Sequence, residues 1–271
     1  IILTRSDVPE GHPEYYQDLA RKIVSETPGA FLADQFSNPA NPLAHRTTTA
    51  PEIWEQMEGK MDAMVAGVGS GGTLTGLAEF FKEKDPNIQM VVADPEGSVV
   101  ADAVRKGSFF YDGGSWLVEG VGEDFIPKNL NLELLDDAEV VSDKEAFQTL
   151  QVLLQEEGIL GGSSTGTLVA GAIKWCQKQD TPKRVVTFIC DTGNKYLSKA
   201  YNKSWLHDNH LLEDQDNGDL TDLINRRADN GEMISVSPTD SLLVAYNRMR
   251  ASDISQIPVL DKEDLVGVLD E

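Results

Sequence analysis

Basic residues are scarce in this 271-residue chain: 23 lysines and arginines stand against 45 acids, a formal net charge of −22. Such a chain repels nucleic acid and anionic membrane surfaces, so neither is expected as a partner. Cysteine is rarer still. Cys176 and Cys190 form no Cys-x-x-Cys pair and suggest no disulfide framework, which fits a reducing, cytoplasmic compartment. No run approaches the roughly 18 apolar residues of a membrane-spanning helix. The opening Ile1-Ile2-Leu3-Thr4-Arg5 has neither Met nor a signal-peptide layout and reads as the interior of a strand, as if the chain began inside a domain. With 40% hydrophobic and 25% charged residues, the rest is ordinary for a globular chain of one large domain or two.

Glycine is concentrated where it is present. Gly67-Val68-Gly69-Ser70-Gly71-Gly72-Thr73 joins an apolar run, Met61–Ala66, to a segment with Leu74, Leu77, Phe80 and Phe81 at helical spacing. A glycine turn between strand and helix brings backbone N–H groups onto an anion at the helix's positive end. In so acidic a chain, phosphate binding must be such a local backbone effect. Gly67-x-Gly69-x-x-Gly72 fits the dinucleotide fingerprint, and Asp94 follows Gly72 by 22 residues (94 − 72), where a ribose-binding acid stands. No Gly-Lys-Ser/Thr ends the loop, so it is not a Walker A site. Ser70 and Thr73 add hydroxyl donors, which suits a terminal phosphate monoester. A second small polar loop, Gly161–Thr167, precedes another helical pattern; a dehydrogenase does not need it.

Strand and helix alternate along the chain. The pattern predicts strands at Ile1–Thr4, Met61–Ala66, Ile88–Ala93 and Arg184–Cys190. Helices are expected at Glu14–Ser25, Leu74–Lys84, Ser142–Glu157 and Thr165–Gln177. Ser142 and Glu145 form a capping-box signature, and Gly158 is a stop. The segment Gln35–His45, with Asn-Pro twice, reads as irregular. The fold class is therefore α/β, a parallel sheet flanked by helices. Residues 213–219, acidic and without an apolar residue, read as a linker. Beyond it come a short strand at Met233–Val236 and a helix with Leu242, Ala245, Tyr246 and Met249 on one face. Strands at Ile257–Leu260 and Leu265–Leu269 complete a unit small for independent stability.

Five motifs in register carry a resemblance: Gly69–Thr73, Asp94-Pro95-Glu96-Gly97-Ser98, Glu119–Pro127, Glu157–Ser164 and the Asn38–His45 segment. Over residues 1–212 the chain resembles the fold-type II pyridoxal-phosphate enzymes, with a tryptophan synthase β-like fold, the family of the cysteine synthases and cystathionine β-synthases. Residues 220–271 resemble a partial CBS module, on Asp240–Ala245, Ile254–Asp261 and Leu265–Val268. Such modules work in tandem and often bind adenosyl effectors; this one favours the β-synthase type. The resemblance implies that Gly69, Ser70, Gly71, Gly72 and Thr73 hold the phosphate of pyridoxal 5'-phosphate and that Ser164 meets its pyridine nitrogen. It also implies that Glu119, Gly120 and Val121 border the second-substrate site. The implied reaction condenses L-serine with L-homocysteine to L-cystathionine, in transsulfuration. The nearest alternative joins O-acetylserine with sulfide to make cysteine. A homodimer or homotetramer is expected.

Two departures stand out. Many relatives carry tyrosine where this chain has Glu123, and an acid near the entry favours a cationic amine. The family's Schiff-base lysine, in a Ser-x-Lys context, is not found; the resemblance places it ahead of Ile1, and no catalytic residue is assigned. This polypeptide alone is therefore expected not to bind the cofactor covalently. A nicotinamide-dependent dehydrogenase and a non-catalytic regulatory piece stay as other readings. His45 reads as a structural hydrogen-bonding residue, Cys190 as a small buried hydrophobe, and His207 and His210 as a pair lacking the further ligands of a metal site.

Overall fold

The computed structural model describes residues 1–5, 8, 11–108, 114–212, 233–252, 254–262 and 264–270. The chain divides into two compact units, residues 1–213 and 214–271. The expected linker at 213–219, and residues 220–232, lie outside the described residues.

The first unit begins with α1 (Tyr16–Glu26), α2 (Ala40–Ala44), a π-helical turn (His45–Thr49) and α3 (Ala50–Gln56). It continues through β1 (Ala63–Ala66), α4 (Gly72–Lys84), β2 (Gln89–Pro95), α5 (Val100–Lys106) and β3 (Asp137–Val141). It ends with α6 (Asp143–Glu157), α7 (Ser163–Gln177), β4 (Val185–Val186) and α8 (Lys203–Asp208). The strands form one sheet in the order β3-β2-β1-β4, every pairing parallel, with Met64 beside Met90 and Val186. All four residues of β1 are buried, as expected for a strand covered on both faces. The two-residue period shares them out: Ala63 and Val65 pack with Phe147, Leu150, Leu168 and Trp175 of α6 and α7. Met64 and Ala66 pack with Leu74, Leu77 and Phe81 of α4 on the other side. Each such large side chain contributes about 1.5–3 kcal/mol of burial. The helix signals are read correctly at α6: Ser142 and Glu145 close a reciprocal capping box, and Gly158 ends the helix in the left-handed region at φ +68°. No helix among the described residues is long and apolar enough to cross a membrane.

Three expectations fail for physical reasons. Ile1–Thr4 is no strand: Ile1, Ile2 and Leu3 are exposed and the first pairing is a lone bridge, Arg5 to Tyr15. An apolar run with no ladder to join gains nothing by extending. The Gln35–His45 segment is helical in its second half. Asn38 Oδ1 accepts from the Ala40 amide at 3.0 Å, and Pro39 and Pro42 fall in the first turn, where a missing N–H costs little. The Arg184–Cys190 strand shrinks to Val185–Val186, paired only with Ala63 and Met64. Beyond it the ladder lapses; the Thr187 hydroxyl donates to the Val65 carbonyl at 2.9 Å instead.

In the second unit α9 (Leu242–Ser252) precedes an antiparallel hairpin, β5 (Gln256–Asp261) and β6 (Asp264–Asp270). The expected strand at Met233–Val236 is reduced to one bridge, Val236 to Val259. Val236, Ala245, Met249 and Ile257 make a small core, while Leu242 and Tyr246 of the expected apolar face are exposed.

α4 meets the α2 segment through glycine. A Cβ on Gly76 would stand 2.2 Å from the Pro42 carbonyl oxygen and 2.8 Å from the Arg46 nitrogen. Gly76→Ala, which would stabilise a free helix by about 1 kcal/mol, is expected here to cost roughly 1–3 kcal/mol. Urea unfolding measures it; a gain in stability would show that the segment yields freely.

Candidate functional site

A cavity of about 390 Å³ opens beyond the carboxyl end of β1, where open parallel sheets place their ligands. One wall is the glycine turn between β1 and α4, through Gly67, Gly69, Ser70 and Thr73. Gly71 turns the chain at φ +79°, and a Cβ there would stand 2.9 Å from the Leu130 backbone nitrogen. Only glycine combines that dihedral with that approach. The following N–H groups open α4 at its positive end. No lysine or arginine lines the cavity among the described residues. An anion here meets helix dipole, amides and hydroxyls, as the composition requires.

Both loop hydroxyls are tethered from behind by the α2 segment. Asn41 Nδ2 donates to Ser70 Oγ at 2.9 Å and to the Gln35 carbonyl at 2.8 Å. A Cβ on Gly72 would stand 2.0 Å from Asn41 Oδ1, so the neighbouring glycine makes room for that tether. His45, in the π-helical turn, lies between Thr73 Oγ1 (3.1 Å from Nε2) and Thr49 Oγ1 (3.0 Å from Nδ1). Burial lowers the His45 pKa and favours the neutral ring. With the proton on Nε2, the ring donates to Thr73 and leaves that hydroxyl's own proton free for an anion.

The opposite wall comes from the first turn of α7. Ser164, 7% exposed, lines the cavity beside Leu168. Thr165 Oγ1 accepts from the Cys190 amide at 3.1 Å, which brings Phe188–Cys190 alongside as a third wall. Ser163 Oγ accepts from the Glu119 amide at 3.1 Å and holds Gly120 and Val121 at the rim. The structure thus gathers Gly69, Ser70, Thr73, Gly120, Val121 and Ser164 around one space. Gly71 and Gly72 shape the turn from outside it. The Glu119 carboxylate is turned away, paired with Lys199 at 2.5 Å and half exposed.

Other sequence readings are revised. Cys190 is no buried hydrophobe; it is exposed, free and at the cavity wall, because β4 stops short of it. Asp94 is fully buried, with Oδ2 accepting from the Ala101 amide at 2.7 Å at the start of α5. It does not line the cavity, so the ribose-binding role needed by a dehydrogenase is not served. Asn41 and Thr49 went unnoticed in the sequence; the Asn-Pro pattern hid a helix, and its contacts with the loop are long-range.

Two acids near the site bind their protons unusually tightly. Burial pushes Asp94 up to about 6, against hydrogen bonds that favour its anion; its Oδ1 has no hydrogen-bond partner. Burial, with Asp124 and Asp94 nearby, pushes Glu123 up to about 8. A folded-state pKa above the unfolded value penalises folding fully above the folded pKa. The penalty fades as pH falls through it towards the unfolded value near 4. The thermal midpoint should therefore rise as pH falls from about 8 to about 5, and Asp94→Asn should remove the lower part of that rise. An Asp94→Asn curve parallel to wild type across this range would contradict the assignment.

Comparison with known proteins agrees with this geometry. The family model for pyridoxal-phosphate dependent enzymes matches residues 1–191, and the CBS domain model matches residues 221–271. Cystathionine beta-synthase of Dictyostelium discoideum is 38% identical over 213 residues, 79% of this chain and 42% of that protein. The cystathionine beta-synthase of Apis mellifera is 36% identical over 216 residues, with 79% and 42% covered. Cysteine synthase A of Escherichia coli (strain K12) is 40% identical over 186 residues, 67% of this chain and 57% of that one. The chain spans about two fifths of the length of the cystathionine beta-synthases it matches. A glycine turn with tethered hydroxyls, set at the end of a parallel sheet, is therefore here the work of a chain that belongs to the pyridoxal-phosphate dependent enzyme family, with a CBS domain after it.

Proposed function

We propose that this chain supplies the phosphate and ring-nitrogen walls of an enzyme that joins L-serine to L-homocysteine by β-replacement, giving L-cystathionine. The observation that carries the reading is convergence. Ser70 and Thr73 border the same cavity as Ser164, although Ser164 stands 91 residues beyond Thr73 (164 − 73). The donors fit pyridoxal phosphate: amides and hydroxyls at the N-terminus of α4 for a phosphate, and one hydroxyl across the cavity for the pyridine nitrogen. When bound, that cofactor supplies the electron sink that lets an amino acid lose its β-substituent. Asn41 and His45 orient Ser70 and Thr73, so little reorganisation is needed when the phosphate arrives. Ser164 offers a weakly acidic hydroxyl in place of a carboxylic acid, so it hydrogen-bonds the ring without charging it. Gly120, at φ +83° and with open space where a Cβ would stand, lets the rim change its dihedrals as the site closes.

The CBS domain at 221–271 favours this reading over cysteine formation from O-acetylserine and sulfide; the likeness to cysteine synthase A keeps the latter as the second reading. Homo-oligomers, an adenosyl effector on paired CBS domains and a cytoplasmic setting belong to the same proposal. The two free cysteines support the last.

Pyridoxal phosphate should raise the thermal midpoint of the protein and NADH should not. Ser70→Ala should weaken cofactor binding by roughly 1.5–3 kcal/mol, the value of a hydrogen bond to a charged group. Ser164→Ala should change the bound cofactor's absorbance with a smaller loss of affinity. Borohydride should leave no permanent label on this polypeptide, since no lysine lines the cavity among the described residues. Protection by NADH in place of pyridoxal phosphate would overturn the reading. Faster turnover of O-acetylserine with sulfide than of serine with homocysteine would select the second one.

A further inference from the structure

We infer that Glu123 recognises the ammonium group of the incoming amino-acid nucleophile and so selects an amine-bearing thiol over a simple anion. The inference rests on the β-replacement reading and names the substrate class that the same site admits. Glu123 stands just behind the lip of the cavity. A Cβ placed on Gly69 would lie 3.4 Å from the Gly120 carbonyl oxygen and 3.9 Å from Glu123 Oε1. Gly69 and Gly120 both line the cavity; Glu123 itself does not, and its carboxyl stands one glycine behind that lining.

The carboxyl is held in place by its backbone. The Gly122 amide donates to the Val68 carbonyl at 2.8 Å, and the Glu123 amide donates to Ser98 Oγ at 3.0 Å. The Glu123 carbonyl accepts from Ser98 Oγ at 3.1 Å and from the Val99 amide at 3.0 Å. A Cβ on Gly122 would meet Pro95 at 2.4 Å and Trp116 at 2.9 Å, so the segment is wedged between the end of β2 and that indole.

What surrounds the carboxyl lacks a cation among the described residues. The charged groups acting on it are Asp124 of its own segment and Asp94 of β2. Asp102 of α5 acts in turn on Asp94. No basic side chain among the described residues forms an ion pair with Glu123, whereas Glu119, four residues earlier, has Lys199. A half-buried acid among acids is tolerable when protonated or when a cation meets it. At neutral pH it rests protonated. An arriving ammonium ion favours the carboxylate, and the displaced proton leaves for solvent. Hydrosulfide, an anion, gains nothing from that carboxylate.

Calorimetry on the cofactor-loaded protein tests this, with L-homoserine as an unreactive stand-in for homocysteine. Titrations near pH 7, in two buffers of different ionisation enthalpy, should show release of about one proton per ligand bound, the change expected for an acid of pKa about 8 that ionises on binding. Glu123→Gln imitates the neutral acid in shape and should fold normally. It should abolish the proton release and raise the dissociation constant for L-homoserine roughly tenfold, the loss of one charge-assisted hydrogen bond. Its affinity for hydrosulfide should stay unchanged, and Glu123→Asp should restore part of the release. Proton release unaltered in Glu123→Gln, or equal affinity changes for L-homoserine and hydrosulfide, would overturn the inference while leaving the β-replacement reading intact. A protein that binds no pyridoxal phosphate would overturn both.

Discussion

The site depends on one close contact, the packing of the glycine face of α4 against the α2 segment. Gly76 admits the Pro42 carbonyl and Gly72 admits the Asn41 side chain. With larger residues at either place the two helices would separate, and the tethers from Asn41 to Ser70 and from His45 to Thr73 would lengthen together. The glycines therefore act on both sides of the cavity wall. Inside, they expose amides; outside, they let a second layer of side chains orient the hydroxyls. The π-helical turn at His45–Thr49 fits this arrangement, since an extra residue in a helical turn redirects side chains at a functional surface.

Charge follows a consistent plan. In a protein of net charge −22, no lysine or arginine lines the cavity among the described residues. The α4 dipole and a short array of neutral donors serve instead, and they act over a few ångströms only. The surrounding acids meet different fates according to depth. Glu119 is half exposed and takes Lys199. Asp94 is buried near the end of β2 and accepts an amide bond from the first turn of α5. Glu123, between them in depth, has no cation among the described residues and is only partly solvated, and its raised pKa records that imbalance.

Helix α6 was legible to the residue, because its capping box and glycine stop are local hydrogen-bond patterns within a few positions. The glycine turn was legible for the same reason: a φ of +79° restricts the residue type wherever it occurs. The ends of the expected strands were not. Arg184–Cys190 is mostly apolar, yet its ladder with β1 ends at Val186, and the Thr187 hydroxyl takes the next carbonyl, that of Val65, in its place. The Asn38–His45 segment misled in the opposite sense, since prolines mark turns and first helical turns alike. Among site residues, the small polar loops were found, and His45 was read as the hydrogen-bonding residue it is, without its partners. Asn41 and Thr49 were not found; Asn41 matters through Ser70, 29 residues away.

By itself the sequence determined the class of fold, the two small polar turns and the family of enzymes that carry them. Those depend on dihedral preference, periodicity and caps, all set within a turn or two of the backbone. Tertiary structure alone decided that the two turns face one cavity, that Cys190 reaches its wall and that Asp94 does not. It also decided which acids find cations. Desolvation and pairing depend on what the folded chain brings close, and residues distant in the sequence supply it.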